Sequence, residues 1–328
     1  MTEPNSGARV APQRVARVAI VGCGTIGASW AAYLLARGIE VSAWDPAPDG
    51  EARLRGFVER AWTALETLGL SAEADPTRLI YAAGPAAACE GADFVQESAP
   101  ERLEVKRELF PEIEAGAPPE TVLASSTSGL LISDIQQGAK HPERFVLGHP
   151  FNPPHLIPLV EVLGGRETAP EAIDWALAFY AAIGKAPIRI AREVPGHVAN
   201  RLQAAMWREA VHLVAEGIAT AEDVDTAISQ GPGLRWALMG PHRTFHLAGG
   251  PGGMENFLEH LGPATESWWA DLGTPQLTPE VKRKLIESVE AENAGRCVAE
   301  LAAERDRRLL ALLAALHGTD KDGEAGDD

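Results

Sequence analysis

Two groups of residues in this chain are of types that could do chemistry. The first is Gly22, Gly24 and Gly27, spaced G-x-G-x-x-G between the apolar run Val18 to Val21 and a helix-like stretch from Ser29 to Ala36. In that spacing Gly22 permits a tight strand-to-helix turn, Gly24 lets a pyrophosphate approach the backbone, and Gly27 lets the helix pack closely on the strand. The unpaired N–H groups at the start of the helix would face the phosphates, with Thr25 and Ile26 inside the same loop. A second apolar run, Ile39 to Trp44, ends on Asp45. A carboxylate there accepts hydrogen bonds from both adenosine ribose hydroxyls and repels a 2′-phosphate. Because no arginine follows Asp45 immediately, the pattern favours NAD over NADP.

The second group lies further along. Ser125-Ser126-Thr127-Ser128-Gly129 follows an apolar run, and His149 follows another in His149-Pro150-Phe151-Asn152-Pro153. Glu161 sits inside Leu159-Val160-Glu161-Val162-Leu163, where an unpaired carboxylate would be costly to bury. A histidine beside it would supply the pairing. An imidazole held by a carboxylate is a general base of adjustable pKa, suited to taking a proton from an alcohol as a hydride leaves for a nicotinamide. The same residues also permit a satisfied strand-end histidine and a glutamate facing solvent.

The elements needed to position these groups can be read from periodicity. Asp49 could cap a helix running to about Leu68, since Leu54, Phe57, Val58, Ala61 and Leu65 recur at helical spacing. Short strands are expected at Leu79 to Ala83, Phe94 to Val95, Thr121 to Ser125, Phe145 to Gly148, Ile157 to Leu163 and Ile188 to Ala191. Helices are expected from Pro100 to Ala115 and from Pro170 to Ile183. This alternation predicts an α/β fold, a Rossmann-type doubly wound parallel sheet, in which ligands bind at the carboxyl ends of the strands. From Pro195 onward the patterns are helical only, the longest from about Gly196 to Glu216. The expected organisation is therefore a flexible tail at 1–14, a nucleotide-binding domain at 15–193, an all-α domain at 194–317 and an acidic disordered tail at 318–328.

Composition excludes several classes. With 29 basic against 46 acidic residues, the net charge of −17 argues against a nucleic-acid partner. The early residues lack an apolar signal core, and no apolar run reaches membrane length, so a soluble protein of the cytoplasm is expected. Cys23, Cys89 and Cys297 are in no metal-ligand spacing and read as reduced thiols, Cys23 being a small side chain that fits the glycine loop. His242 and His246 lack acidic or thiol ligands at matching spacing, so no metal is expected.

Taken together, Gly22 to Gly27, Ser126-Thr127-Ser128, His149 to Pro153, Leu159 to Val162 and Val194-Pro195-Gly196-His197-Val198-Ala199-Asn200-Arg201-Leu202 resemble the L-3-hydroxyacyl-CoA dehydrogenase superfamily, in the family's order from about residue 16 to 315. The resemblance implies that His149 is the base, that Glu161 orients it, and that Ser128 and Asn200 hydrogen-bond the substrate around the reacting carbon. It also implies that Glu101, Lys106 and Asn152 contact NAD, and that the helical domain forms a homodimer.

Within the superfamily, Trp44 to Pro48, Gln96 to Leu103, Ser125 to Leu131, Gly233 to Trp236 and Leu247 to Gly250 look most like the branch acting on carnitine, while Asn200 to Gln203 and Met239 to Pro241 are shared with the branch acting on L-gulonate. Asn200 is a departure, since Asp can occupy that position in the carnitine enzymes. The expected substrate is a small 3-hydroxy acid with L-carnitine first, then L-gulonate or a short 3-hydroxyacyl-CoA. Among the eight tryptophans, Trp207 and Trp236 could offer faces to a quaternary ammonium, and Arg235 could hold a carboxylate. The bland reading is that the tryptophans are core or dimer-interface residues and that Arg235 is a surface arginine. A non-catalytic NAD sensor or structural protein would keep the glycine loop but has no use for Ser128, His149, Glu161 and Asn200 together.

Overall fold

The computed structural model describes residues 9–322, with side chains described as far as Leu316. The chain forms two compact units, one ending at Arg201 and the other starting at Leu202. In the first, strands and helices alternate: β1 (Arg17–Val21), α1 (Thr25–Ala36), β2 (Glu40–Trp44), α2 (Gly50–Leu68), β3 (Leu79–Tyr81), α3 (Pro85–Cys89), β4 (Phe94–Glu97), α4 (Leu103–Gly116), β5 (Val122–Ser125), α5 (Ile132–Ile135), β6 (Phe145–Pro150), β7 (Leu159–Gly164), α6 (Pro170–Ala182) and β8 (Ala186–Arg189). All eight strands join one sheet in the order β3-β2-β1-β4-β5-β6-β7-β8. The order reverses between β1 and β4, and a crevice for a ligand opens at the carboxyl ends of such a pair.

The sheet is buried on both faces, which is why its strands read as unbroken apolar runs. One core gathers Trp30, Leu34, Leu54, Phe179 and Tyr180 from α1, α2 and α6. The other gathers Phe110, Ile113, Ile132 and Phe145 from α4, α5 and β6. Helix α1 is covered along its length, from Gly27 to Ala36, as expected for a helix that is apolar all round.

One pairing departs from a purely parallel sheet: β7 runs antiparallel to β6. A parallel partner would need a crossover of a dozen or more residues, and the segment between Pro150 and Leu159 is too short for one. The antiparallel register sets His149 directly opposite Glu161.

The second unit is helical, as its sequence implied: the body of α7 (Ala199–Ala215), then α8 (Ala221–Ser229), α9 (Pro232–Trp236), α10 (Pro241–Ala248), α11 (Gly253–Asp271), α12 (Pro279–Asn293) and α13 (Val298–Asp322). At 25 residues α13 is longer than α7, its run of Ala, Leu, Glu and Arg being strong helix formers. It continues past Gly318, where the sequence suggested a disordered tail, while 323–328 lie outside the described residues. The expected flexible tail at 1–14 also needs correction over residues 9–14. Arg9 donates to the Glu120 carbonyl at 2.8 Å and the Trp175 indole donates to the Val10 carbonyl at 2.7 Å. These bonds hold the segment, and the earlier part of that tail lies outside the described residues.

Helix α7 starts at Ala199, three residues after the expected Gly196. Gly196 and His197 adopt φ values of +73° and +52°, in the left-handed region that no α-helix contains. Residues 195–198 form instead a turn at the head of α7.

Candidate active site

The glycine loop is built as its spacing implies. Gly22 has φ +94°, and a β-carbon there would lie 2.7 Å from the backbone of Ser98 and Ala99. A β-carbon on Gly27 would run into the Gly22 carbonyl. At Gly24 it would meet nothing within 4 Å, so this stretch of backbone borders open space at the head of α1. An adjoining cavity of about 440 Å³ is lined by Gly22, Gly24, Trp44, Asp45, Ser98 and Pro100 among others. The chain's own residues thus fit a dinucleotide: an open cradle of N–H groups for the pyrophosphate, and a carboxylate at the end of β2 for the ribose.

Asp45 already accepts hydrogen bonds from the N–H groups of Cys23 (2.7 Å) and Ala47 (2.9 Å). These fix its direction and leave lone pairs available, since a carboxylate offers about four acceptor positions. The fold also brings Arg53 of α2 to 3.8 Å from Asp45, a neighbour that a search for arginine immediately after Asp45 does not find. The pair is more than half exposed on the arginine side and contributes little.

Glu101 and Lys106 have partners of their own. Lys106 is 1% exposed, and its Nζ donates to Glu97 at 2.6 Å and to the Ala99 carbonyl at 3.2 Å. Glu97 also accepts from the Ala99 N–H and the Ser125 hydroxyl. This buried cluster fixes the 97–99 loop that Gly22 abuts, so the structure places Lys106 behind the crevice. Oε1 of Glu101 gathers Thr127 Oγ1 at 2.7 Å and the N–H groups of Ser128 at 3.0 Å and Gly129 at 2.8 Å. Burial pushes this carboxyl up. The bonds from Thr127, Gly129 and Leu130 and the charge of Lys106 outweigh that and hold it below its usual range. Glu101 therefore shapes the loop that carries the exposed Ser128. Asn152 is exposed, in the loop after β6.

His149 Nδ1 lies 2.7 Å from Glu161 Oε2, both side chains being buried. The other oxygen, Oε1, accepts the N–H groups of Val198 and Ala199, each at 2.9 Å. Burial alone would raise the Glu161 pKa. The bond to His149 and the two N–H donors of the α7 head reverse this and hold the carboxylate below its usual range. Since a carboxylate only accepts, Nδ1 of the neutral imidazole carries the hydrogen, and Nε2 is left as the nitrogen with a lone pair. Asn200, half-buried, follows within the first turn of α7. The sequence could pair His149 with Glu161, but gave no sign that the 195–198 turn and the first residue of α7 hold the carboxylate.

The same turn supplies His197, which sequence reasoning passed over. It is 2% exposed, and its ring centroid lies 5.3 Å from that of His149. A polar ring directly after Pro-Gly, just ahead of Asn200, is the signal that could have marked it. Arg235 and Trp236 of α9 and Trp207 of α7 belong to the second unit, where all three are exposed. Among the described residues, no group of three His, Cys, Asp or Glu is placed to hold a metal.

Comparison with known proteins gives a family and relatives. Residues 17–194 match the model of the 3-hydroxyacyl-CoA dehydrogenase NAD binding domain, and residues 196–294 match that of the 3-hydroxyacyl-CoA dehydrogenase C-terminal domain. The chain is 52% identical over 314 residues to the L-carnitine dehydrogenase of Nocardiopsis dassonvillei, covering 96% of this chain and 95% of that one. It is 48% identical over 303 residues to the L-carnitine dehydrogenase of a Pseudomonas species, covering 92% and 94%. Among solved structures it is similar to FHMPC 5-dehydrogenase, described as an NAD+-dependent dismutase. The TM-score is 0.80 at 32% identity, over 93% of this chain and 99% of the other.

Proposed function

The chain belongs to the 3-hydroxyacyl-CoA dehydrogenase family and binds NAD in its N-terminal domain, and from that footing we propose that it oxidises the 3-hydroxyl of L-carnitine to 3-dehydrocarnitine. The observation that carries the mechanism is the imidazole of His149 held through Nδ1 by a backbone-gripped Glu161 carboxylate, which leaves Nε2 with the lone pair. Nε2 of His149 takes the hydroxyl proton, and Glu161 stabilises the imidazolium that results. Ser128 and Asn200 hydrogen-bond the substrate oxygen and hold the carbinol carbon in place. When bound, the nicotinamide of NAD accepts the hydride. The cradle at Gly22, Gly24, Thr25, Ile26 and Gly27 takes the pyrophosphate, and Asp45 takes the adenosine ribose, with Glu101, Lys106 and Asn152 supporting the cofactor side.

The identity to L-carnitine dehydrogenases over nearly the whole chain supports the substrate. Arg235 is suited to the carnitine carboxylate, and Trp207 and Trp236 to its trimethylammonium. The helical unit is assigned as the homodimer surface. Among the described residues no helix is long and apolar enough to cross a membrane, and with three free cysteines the proposed compartment is the cytoplasm.

The test is NADH formation at mildly alkaline pH with L-carnitine, L-gulonate and L-3-hydroxybutyryl-CoA in parallel, each against NAD and NADP. Turnover is expected on L-carnitine with NAD. Turnover confined to either of the other substrates would overturn the substrate and leave the His149 mechanism standing.

A further inference from the structure

His197 has no role in the reaction described above, yet its placement is unusual in three respects. The residue is not glycine but adopts φ +52°, a conformation that the β-carbon disfavours. Its imidazole is 2% exposed. Its Nδ1 is buried with no hydrogen-bond partner, whereas buried polar atoms nearly always have one. A strained backbone and an orphaned nitrogen persist only where surrounding structure requires that ring in that place.

The contacts show what requires it. Nε2 lies 3.3 Å from the carbonyl oxygen of Thr127. A carbonyl only accepts, so the hydrogen of the neutral ring is on Nε2, and Nδ1 is the bare nitrogen. The ring is tilted 53° against the ring of His149. Thr127 in turn donates its hydroxyl to Glu101 and directly precedes Ser128. One residue along the chain from His197, the backbone N–H of Val198 begins the grip on Glu161. The turn therefore holds the carboxylate by its main chain, while its one side-chain ring touches both the imidazole and the Ser128 loop.

We propose that His197 is a positioning residue: donating Nε2–H to the Thr127 carbonyl, it braces the plane of His149 and the Ser128 loop against the turn that grips Glu161. The proposal rests on His149 being the base. The charges around the ring agree with it. Burial, and then the neighbouring His149, push His197 down, against the bond to Thr127 and the carboxylates of Glu161 and Glu101, which pull up, and the net shift is downward. His197 thus stays neutral when His149 takes up a proton, and two positive rings do not face each other. The Nε2–H donor to Thr127 is in place at neutral and alkaline pH.

The test combines two variants with histidine NMR of the full-length protein. In His197→Gln the amide N–H can still reach the Thr127 carbonyl; in His197→Phe the ring volume is kept and the donor is gone. On 15N-histidine-labelled wild type, His197 should appear as the Nε2–H tautomer and titrate below the ordinary histidine midpoint of about 6.5. His197→Phe should lower kcat about tenfold, the size of one lost hydrogen bond, with a higher KM for the hydroxy acid, an altered pH profile and unchanged NADH affinity. His197→Gln should stay close to wild type in all four.

An Nδ1–H tautomer, or a midpoint at or above the ordinary one, overturns the proposal. So does a Phe variant with wild-type kcat and pH profile, or equal losses in Gln and Phe. The NMR measurement needs no turnover, so a wrong assignment of the base, seen as undiminished activity in His149→Gln, is distinguished from a wrong assignment of His197.

Discussion

In the first unit the large apolar side chains Trp30, Phe94, Phe110 and Phe179 are all buried, and the carboxylates of Glu97 and Glu161 lie inside with partners. In the second, Trp207, Trp236, Trp268 and Trp269 are exposed, with Leu202, Leu238, Leu247 and Leu258. The contrast follows from architecture. A sheet with helices on both faces covers its own apolar surface. A set of amphipathic helices covers only the faces it turns inward, and apolar surface left over on a folded chain marks an interaction site. The first unit buries its large apolar side chains, and for the exposed apolar surface of the second the proposed cover is a second copy of this chain.

The largest effect that would test this contrast is local to the first unit. His149→Gln should lower kcat by about 10³-fold, the scale of general acid–base catalysis, while NADH affinity by fluorescence titration and the oligomeric state stay as in wild type. A variant that also falls apart into monomers would show that the two regions are not independent.

The next test acts on the other side. If the proposed dimer forms through this face, replacing both Trp268 and Trp269, each about two-thirds exposed, by serine should shift the sedimentation profile toward monomer and leave NADH affinity unchanged. An unaltered profile would place the covered surface elsewhere on the helices.

The smallest effect concerns how the first unit tolerates a buried cation. Nζ of Lys185 lies 3.6 Å from the Tyr33 ring centroid and donates to the carbonyls of Pro154 and Ile157. Burial, aided by the charge of Arg37, pushes its pKa down to about 7. Unfolded, the lysine titrates near about 10.4, so between these values the unfolded chain binds more protons and stability rises with pH. Denaturation midpoints at pH 7 and pH 9 should show that rise in wild type, and Lys185→Met should flatten it. Equal pH dependence in both proteins would mean that the lysine is hydrated and normal.

Much of this organisation was legible in the sequence. The Gly22 to Gly27 spacing with Asp45 after the next apolar run fixed the first βαβ unit, because such a turn depends on backbone conformations that few residues other than glycine adopt. Glu161 within an apolar run signalled a partnered carboxylate, since an unpaired one is costly to bury. The turn at 195–198 was not legible. Val194 to Leu202 continues an apolar periodicity that reads as helix, and the left-handed conformations of Gly196 and His197 that interrupt it leave no periodic trace. Lys106 and Glu101 were placed by likeness to known enzymes, and nothing local in the chain announces that Glu97 occupies the one, and the Thr127 hydroxyl with the Ser128 and Gly129 N–H groups the other.

The sequence by itself determined the elements and their chemical types: where strands and helices alternate, which end of β1 meets a dinucleotide, and which residues could be base and carboxylate. These depend on neighbours within a turn or two, so local periodicity and residue type carry them. Only the tertiary structure decided the antiparallel β6–β7 register that sets His149 against Glu161, the approach of the Val198 and Ala199 N–H groups to that carboxylate, and the seating of His197 against His149 and Thr127. Those contacts join residues far apart in the chain, and their energies exist only once the sheet has closed around them.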